Sequence, residues 1–217
     1  MTIADRRERD KQLRRDAIVD AAEKLFFTKG FTFTTMDEIA ESAELSKGTI
    51  YLYFKNKEEI YAAIVHRGMR LLMDLFRQAI GSASTGMGKV KALGQALFTF
   101  YERHPNHFTA VFYHHENASC GCLEIDFEDP LIKGLMQDSE ELYAFSIDAI
   151  QAGIDDGTIR PDVVPMRTTL VLSSMILGLI RMVAVEEKYM LQEFHISAKD
   201  LIQEAFDLIE HSLANHR

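Results

Sequence analysis

Leu45-Ser46-Lys47-Gly48-Thr49-Ile50-Tyr51-Leu52-Tyr53-Phe54-Lys55-Asn56-Lys57 decides how the rest of the chain is read. Ser46 is a good helix N-cap, and Ile50 and Phe54, four residues apart, give a short helix one inward-facing stripe. Ahead of it, Thr35 is a second N-cap with Glu38 at the capping-box spacing, and Ile39 and Ala40 supply apolar contacts. This first helix is expected to run from Thr35 to Ala43, with the turn passing through Glu44 and Leu45. Lys47, Gly48, Thr49, Tyr51, Leu52 and Tyr53 are left for the outer arc of the second helix. Leucine and two tyrosines are poor choices for meeting only water, and they suit a partner surface better. Duplex DNA fits that role. Lys47 and Lys57 can neutralise phosphates, Gly48 lets a backbone come close, Tyr51 and Tyr53 can donate hydroxyls to phosphate oxygens, and Thr49 and Leu52 are placed to read base edges.

With Thr34-Thr35-Met36-Asp37-Glu38-Ile39-Ala40 followed by Ser46 to Phe54 and Lys57, the sequence resembles the TetR family of bacterial transcription regulators. A preceding helix is also visible: Ile18, Ala21, Ala22, Leu25 and Phe26 recur at helical spacing, and Lys29-Gly30 makes a cationic last turn with a glycine C-cap. The resemblance implies an all-α fold of about nine helices. A three-helix DNA-binding domain would occupy residues 1–57 and a helical ligand-binding and dimerisation domain residues 58–217. It also implies that Thr35, Ser46, Lys47, Gly48, Thr49, Tyr51, Tyr53 and Lys57 occupy positions that touch operator DNA in relatives.

A net charge of −9 argues at first against nucleic acid, but the charge is unevenly spread. Residues 1–60 hold 11 basic and 12 acidic side chains, whereas residues 61–217 hold 13 and 21, so the acidity belongs to the second part. Arg6, Arg7, Arg9, Lys11, Arg14 and Arg15 cluster near the amino end among Asp5, Glu8, Asp10 and Asp16. This run reads equally as a solvated helical start or as an arm reaching a groove or phosphates. Two cysteines give no disulfide framework and no apolar signal core is visible, which points to a cytoplasmic protein. Thr168 to Ile180, the longest nearly apolar stretch, is shorter than the ~20 residues a bilayer-spanning helix needs. It is expected to be a buried helix, with no membrane partner.

Beyond residue 57 the chain reads as helices at Lys57 to about Ala83, about Met87 to His104, Leu131 to Asp156, about Pro165 to Phe194, and Ser197 to Asn215. Ala118 to Pro130 reads as a loop. On the last two helices Leu170, Ser174, Leu177 and Gly178, and Leu201, Ala205, Leu208 and Ile209, are candidate dimer residues. Pattern alone also permits an intramolecular core. The family resemblance favours a four-helix homodimer interface, which would set two recognition helices about 34–36 Å or a multiple apart. Phe98, Tyr101, Phe108, Phe112, Tyr113, Met136, Tyr143, Met175 and Met182 are individually ordinary core residues and together suit an apolar or aromatic small-molecule ligand. The expected function is a repressor that such a ligand releases from its operator by population shift.

His104, His107, His114, His115, Cys120 and Cys122 gather soft and borderline metal ligands within nineteen residues. Cys120-Gly121-Cys122 matches no standard zinc spacing, so incidental polar ends of helices are the simpler account. A metal- or thiol-responsive regulator, with His114, His115, Cys120 and Cys122 as ligands, is the alternative. A metal-dependent helical enzyme is remote. The sequence has no Glu-x-x-His pair, no Gly-x-Ser-x-Gly elbow and no phosphate-binding glycine loop, and no cofactor is expected.

Overall fold

The computed structural model describes residues 3–113 and 130–215. Among these residues the chain forms nine helices: α1 (Ile3–Lys29), α2 (Met36–Ser42), α3 (Lys47–Tyr51), α4 (Lys57–Gly81), α5 (Gly86–Arg103), α6 (Pro105–Phe112), α7 (Pro130–Asp155), α8 (Pro165–Phe194) and α9 (Ala198–Leu213). They fall into two compact units interleaved in sequence, Met1–Arg70 with Pro105–Asp138, and Leu71–His104 with Ser139–Arg217.

In the first unit the stripe seen on α1 meets those of its neighbours. Ile18, Ala22, Phe26, Ile39, Ile50, Phe54, Ile60 and Ile64 form one buried cluster. Each aliphatic or aromatic side chain so buried stabilises the fold by about 1.5–3 kcal/mol before entropy is charged against it. Gly30 ends α1 at φ +89°, a backbone conformation that costs glycine little and other residues more. Phe31 then turns back so that its ring lies 5.3 Å from Phe26 and 5.1 Å from Tyr61. The basic amino-terminal run is helical, not an extended arm, and Arg6 to Arg14 are exposed. α6 approaches α4 closely: a Cβ added at Gly68 would lie 2.8 Å from the Val111 side chain. His107, on the same helix, packs edge-on against Phe27 of α1 with ring centroids 5.2 Å apart.

In the second unit, α5 and α7 meet at glycines. A Cβ on Gly86 would fall 1.9 Å from the Gly153 nitrogen, so this crossing excludes any side chain. Asp156 accepts the Gly86 N–H at 2.7 Å and completes the junction. α9 buries Ile202, Phe206, Ile209 and Leu213, spaced four, three and four residues apart.

α8 departs from the expected buried helix. It is long and apolar enough to cross a membrane by length and composition, yet only 22% of its most apolar window is buried inside the chain. Its apolarity serves two faces. Thr169, Ile176, Ile180, Val183 and Met190 point inward, while Leu170, Val171, Met175, Met182, Val185 and Tyr189 remain exposed.

Candidate nucleic-acid interface

The reading head is built from two caps and one turn. The Thr35 hydroxyl accepts the Glu38 N–H at 3.3 Å, and the Glu38 carboxylate accepts the Thr35 N–H at 2.9 Å, closing the expected box around the start of α2. Lys29 pairs with the same carboxylate, and the two partners hold its pKa down at about 2. Ala43 is the C-cap of α2, and Glu44 takes φ 57°, the left-handed conformation that reverses the chain at the cost of some strain. Ser46 then caps α3, its Oγ accepting the Thr49 N–H at 3.1 Å and lying 2.8 Å from the Thr49 hydroxyl. Ile50 and Phe54 anchor this short helix in the core, as their spacing predicts.

The outward residues divide into three kinds. Leu52 is 82% exposed and Tyr51 is also exposed, so both are available to a partner surface. Lys47 is exposed but pairs with Asp37 at 2.6 Å, which raises its pKa. Tyr53 is not on the outer arc. It is half-buried against the core, because it stands three residues from Ile50, its N–H donating to the Ile50 carbonyl at 2.9 Å, and so borders the inward stripe of Ile50 and Phe54.

Lys57 is also more committed than a projecting phosphate ligand. Its ammonium donates to the carbonyl oxygens of Phe31 at 3.0 Å and Thr34 at 3.3 Å, and lies 4.4 Å from the centre of the Phe31 ring. It therefore fixes the turn that delivers Thr35 to its cap. Phe33, in that same turn, is 71% exposed and was not singled out by sequence reasoning. The signal was an aromatic residue in a loop beside Thr34, whose own side chain is buried.

The ligand candidates are shared between the two units. Phe98, Tyr101, Tyr143, Met175 and Met182 belong to the second unit, while Phe108, Phe112, Tyr113 and Met136 belong to the first. Phe108 is core, packed against Phe112 with ring centroids 5.0 Å apart and Tyr113 at 5.8 Å. Met175 lines an open apolar groove of about 450 Å³ between α8 and α9, together with Val171, Leu172, Leu208 and Leu213. Of the dimer candidates, Leu170, Ser174, Gly178 and Leu208 are exposed, while Leu177, Leu201 and Ala205 are half-buried. Ile209 is 5% exposed and sits in the protomer's own core, because the inward stripe of α9 runs through Ile202 and Phe206. His114, His115, Cys120 and Cys122 lie outside the described residues, among which no group of His, Cys, Asp or Glu is arranged to hold a metal ion.

Comparison with known proteins places this geometry. The family profile described as bacterial regulatory proteins, tetR family, matches residues 18–64, the span from the first core contact of α1 into α4. The uncharacterised HTH-type transcriptional regulator YhgD of Bacillus subtilis is 29% identical over 77% of this chain and 82% of its own length. The HTH-type transcriptional repressor KstR2 of Mycolicibacterium smegmatis is 29% identical over 69% of each chain. Among solved structures, the fatty acid degradation regulator FadR from Bacillus halodurans superposes with a TM-score of 0.67 at 18% identity, over 91% of this chain and 98% of that one.

Proposed function

The chain belongs to the TetR family of bacterial transcription regulators, and from that premise we propose that it is a cytoplasmic homodimeric repressor released from operator DNA by an apolar small molecule. The observation that carries the reading is α3. A five-residue helix, capped by Ser46 and anchored through Ile50 and Phe54, turns Tyr51 and the 82% exposed Leu52 outward with Lys47 beside them. A leucine in water gains nothing, whereas one in a major groove can pack on a thymine methyl group.

Within this reading residues 1–57 bind DNA and residues 58–217 sense the ligand and dimerise. Thr35, Ser46, Lys47, Gly48 and Tyr51 dock on the phosphate backbone, Thr49 and Leu52 read bases, and Lys57 holds the turn behind them. The exposed apolar faces of α8 and α9 support pairing with a second copy, since such a stripe is otherwise costly in a soluble protein. An apolar inducer is supported by the aromatic and methionine content of the middle helices and by likeness to proteins named as a repressor and as a regulator of fatty acid degradation. The test is a mobility shift with purified full-length protein on DNA upstream of its own gene at moderate salt. A shift that survives nonspecific competitor is expected, and its absence would remove the proposal.

A further inference from the structure

α1 is longer than its packing requires. Its first buried residues are Ile18 and Val19, yet the helix begins at Ile3, so about four turns lie beyond the core. Over that length no apolar face develops: residues 5–14 are exposed throughout, Leu13 among them. Packing therefore does not explain the extension, and a segment of this length is marginal as an isolated helix.

Charge gives it a direction. Arg7, Lys11, Arg14 and Arg15 lie on one helical line, and steps of three and four residues carry that line on through Ile18, Ala22 and Leu25. Those last three pack toward α2, α3 and α4, so the basic ridge lies on the side of α1 that faces the reading head. Asp5, Gln12, Asp16 and Asp20 fall on the reverse face, Gln12 donating to Asp16 at 2.9 Å, while Glu8 and Asp10 border the ridge on its two sides. The ridge also joins the reading head physically. The Arg15 guanidinium lies 4.8 Å over the ring of Phe54, and the side chain of the next residue, Lys55, is 88% exposed.

The state of these cations distinguishes them from their neighbours. Lys29, Lys47, Lys55 and Arg67 each have a carboxylate partner. Among the described residues Arg6, Arg7, Arg9, Lys11 and Arg14 have none. Five of the six basic residues in the run are arginine, the side chain whose planar fork matches a phosphate. From Arg7 to Arg15 the ridge covers about 12 Å of axis. Along one DNA strand a charge recurs every ~3.4 Å, so several phosphates come within its reach.

We infer that the amino-terminal extension of α1 is a second DNA-contacting element, in which Arg7, Lys11 and Arg14 grip the phosphate backbone beside the groove that α3 reads. The inference rests on the DNA-binding reading above. It assigns the near-neutral reading head a source of affinity independent of sequence and separate from base recognition.

The test uses the full chain and a duplex selected by the wild-type protein from a random library, with a scrambled duplex beside it, read by fluorescence anisotropy over a salt series. Arg7→Ala/Lys11→Ala/Arg14→Ala should lower the slope of log affinity against log salt by about 0.9 for each phosphate the variant no longer neutralises. It should weaken both duplexes by the same factor, tenfold or more at low salt, leaving discrimination intact. Arg7→Lys/Arg14→Lys should retain most of the slope, and circular dichroism should show the thermal midpoint of the triple variant unchanged. An unchanged slope in the triple variant, with wild type bound, overturns the inference. So does a variant unaltered on DNA that no longer binds phosphatidylglycerol vesicles holding the wild type, because the ridge would then serve a lipid surface. Failure of the wild type to select any duplex would instead defeat the DNA-binding reading itself.

Discussion

The ammonium of Lys57 lies 3.0 Å from the carbonyl oxygen of Phe31 and 4.4 Å from the centre of that residue's ring. One side chain thus ties the start of α4 to the loop between α1 and α2, the loop that positions Thr35. Lys57→Met keeps the stem and removes the donor, leaving the Phe31 and Thr34 carbonyls without this partner. A destabilisation of about 1–2 kcal/mol is expected. Amide exchange at residues 31–36 should quicken while exchange in α9 stays unchanged, and operator affinity should fall with little change in its salt slope. A slope reduced by the full value of one phosphate would instead show that Lys57 also meets the DNA backbone.

Leu52 and Thr49 are expected to act on discrimination, not stability. Leu52→Ala removes an 82% exposed side chain and should move the unfolding free energy by less than about 0.5 kcal/mol. The penalty for a mismatched base pair, typically about 1–3 kcal/mol, should shrink at one operator position. Affinities measured on a set of single-base operator variants would reveal this, and a uniform weakening across all of them would contradict the assignment.

Gly178 lies in the exposed face of α8, where an added Cβ would meet nothing within 4 Å in the protomer. Gly178→Ala should therefore stabilise an isolated protomer by about 0.5–1 kcal/mol. If a partner helix crosses there, the same methyl group holds the two helices apart. Sedimentation velocity should show a raised dimer dissociation constant, and an unchanged constant would place the crossing elsewhere on α8.

The Glu23 carboxyl is pushed up by burial, yet His107 and Arg67 hold it below its ordinary value of 4.5. His107 Nε2 stands 3.3 Å from it, and Arg67 donates to it at 2.9 Å. A carboxylate with a depressed pKa in the folded state stabilises that state fully above 4.5, and the contribution is lost as pH falls through the lower folded value. Thermal midpoints recorded from pH 7 downward should fall on the acid side in the wild type. Glu23→Gln should lie lower near neutrality and show a shallower acid decline. Parallel curves would remove Glu23 from the account.

Much of this was legible beforehand wherever a local rule sufficed. Thr35 with Glu38 and Ser46 with Thr49 are caps, decided within four residues, and both form as their spacing predicts. Core stripes on long helices were equally plain, as at Ile18, Ala22 and Phe26 of α1. Tertiary commitment was harder to see. Nothing near Lys57 in the sequence announces that its ammonium belongs to a carbonyl 26 residues earlier. Tyr53 misled because, three residues from Ile50, it borders the inward stripe, and Ile209 because it belongs to the inward stripe of α9 with Ile202 and Phe206. The apolar run in α8 gave its composition but not its partner, since hydropathy does not say which face meets which neighbour.

The interleaving of the two units bears on how the protein is made. Phe27, Glu23 and Gly68 receive their partners His107 and Val111 from α6, some 40 residues or more farther along the chain. As a ribosome releases the polypeptide from its amino end, α1 to α4 emerge before the helix that covers them. The nascent reading head must wait, with Phe27 uncovered, until α5 and α6 have left the exit tunnel. A chain halted after residue 70 would carry every residue of α3 and still lack the packing that completes its support.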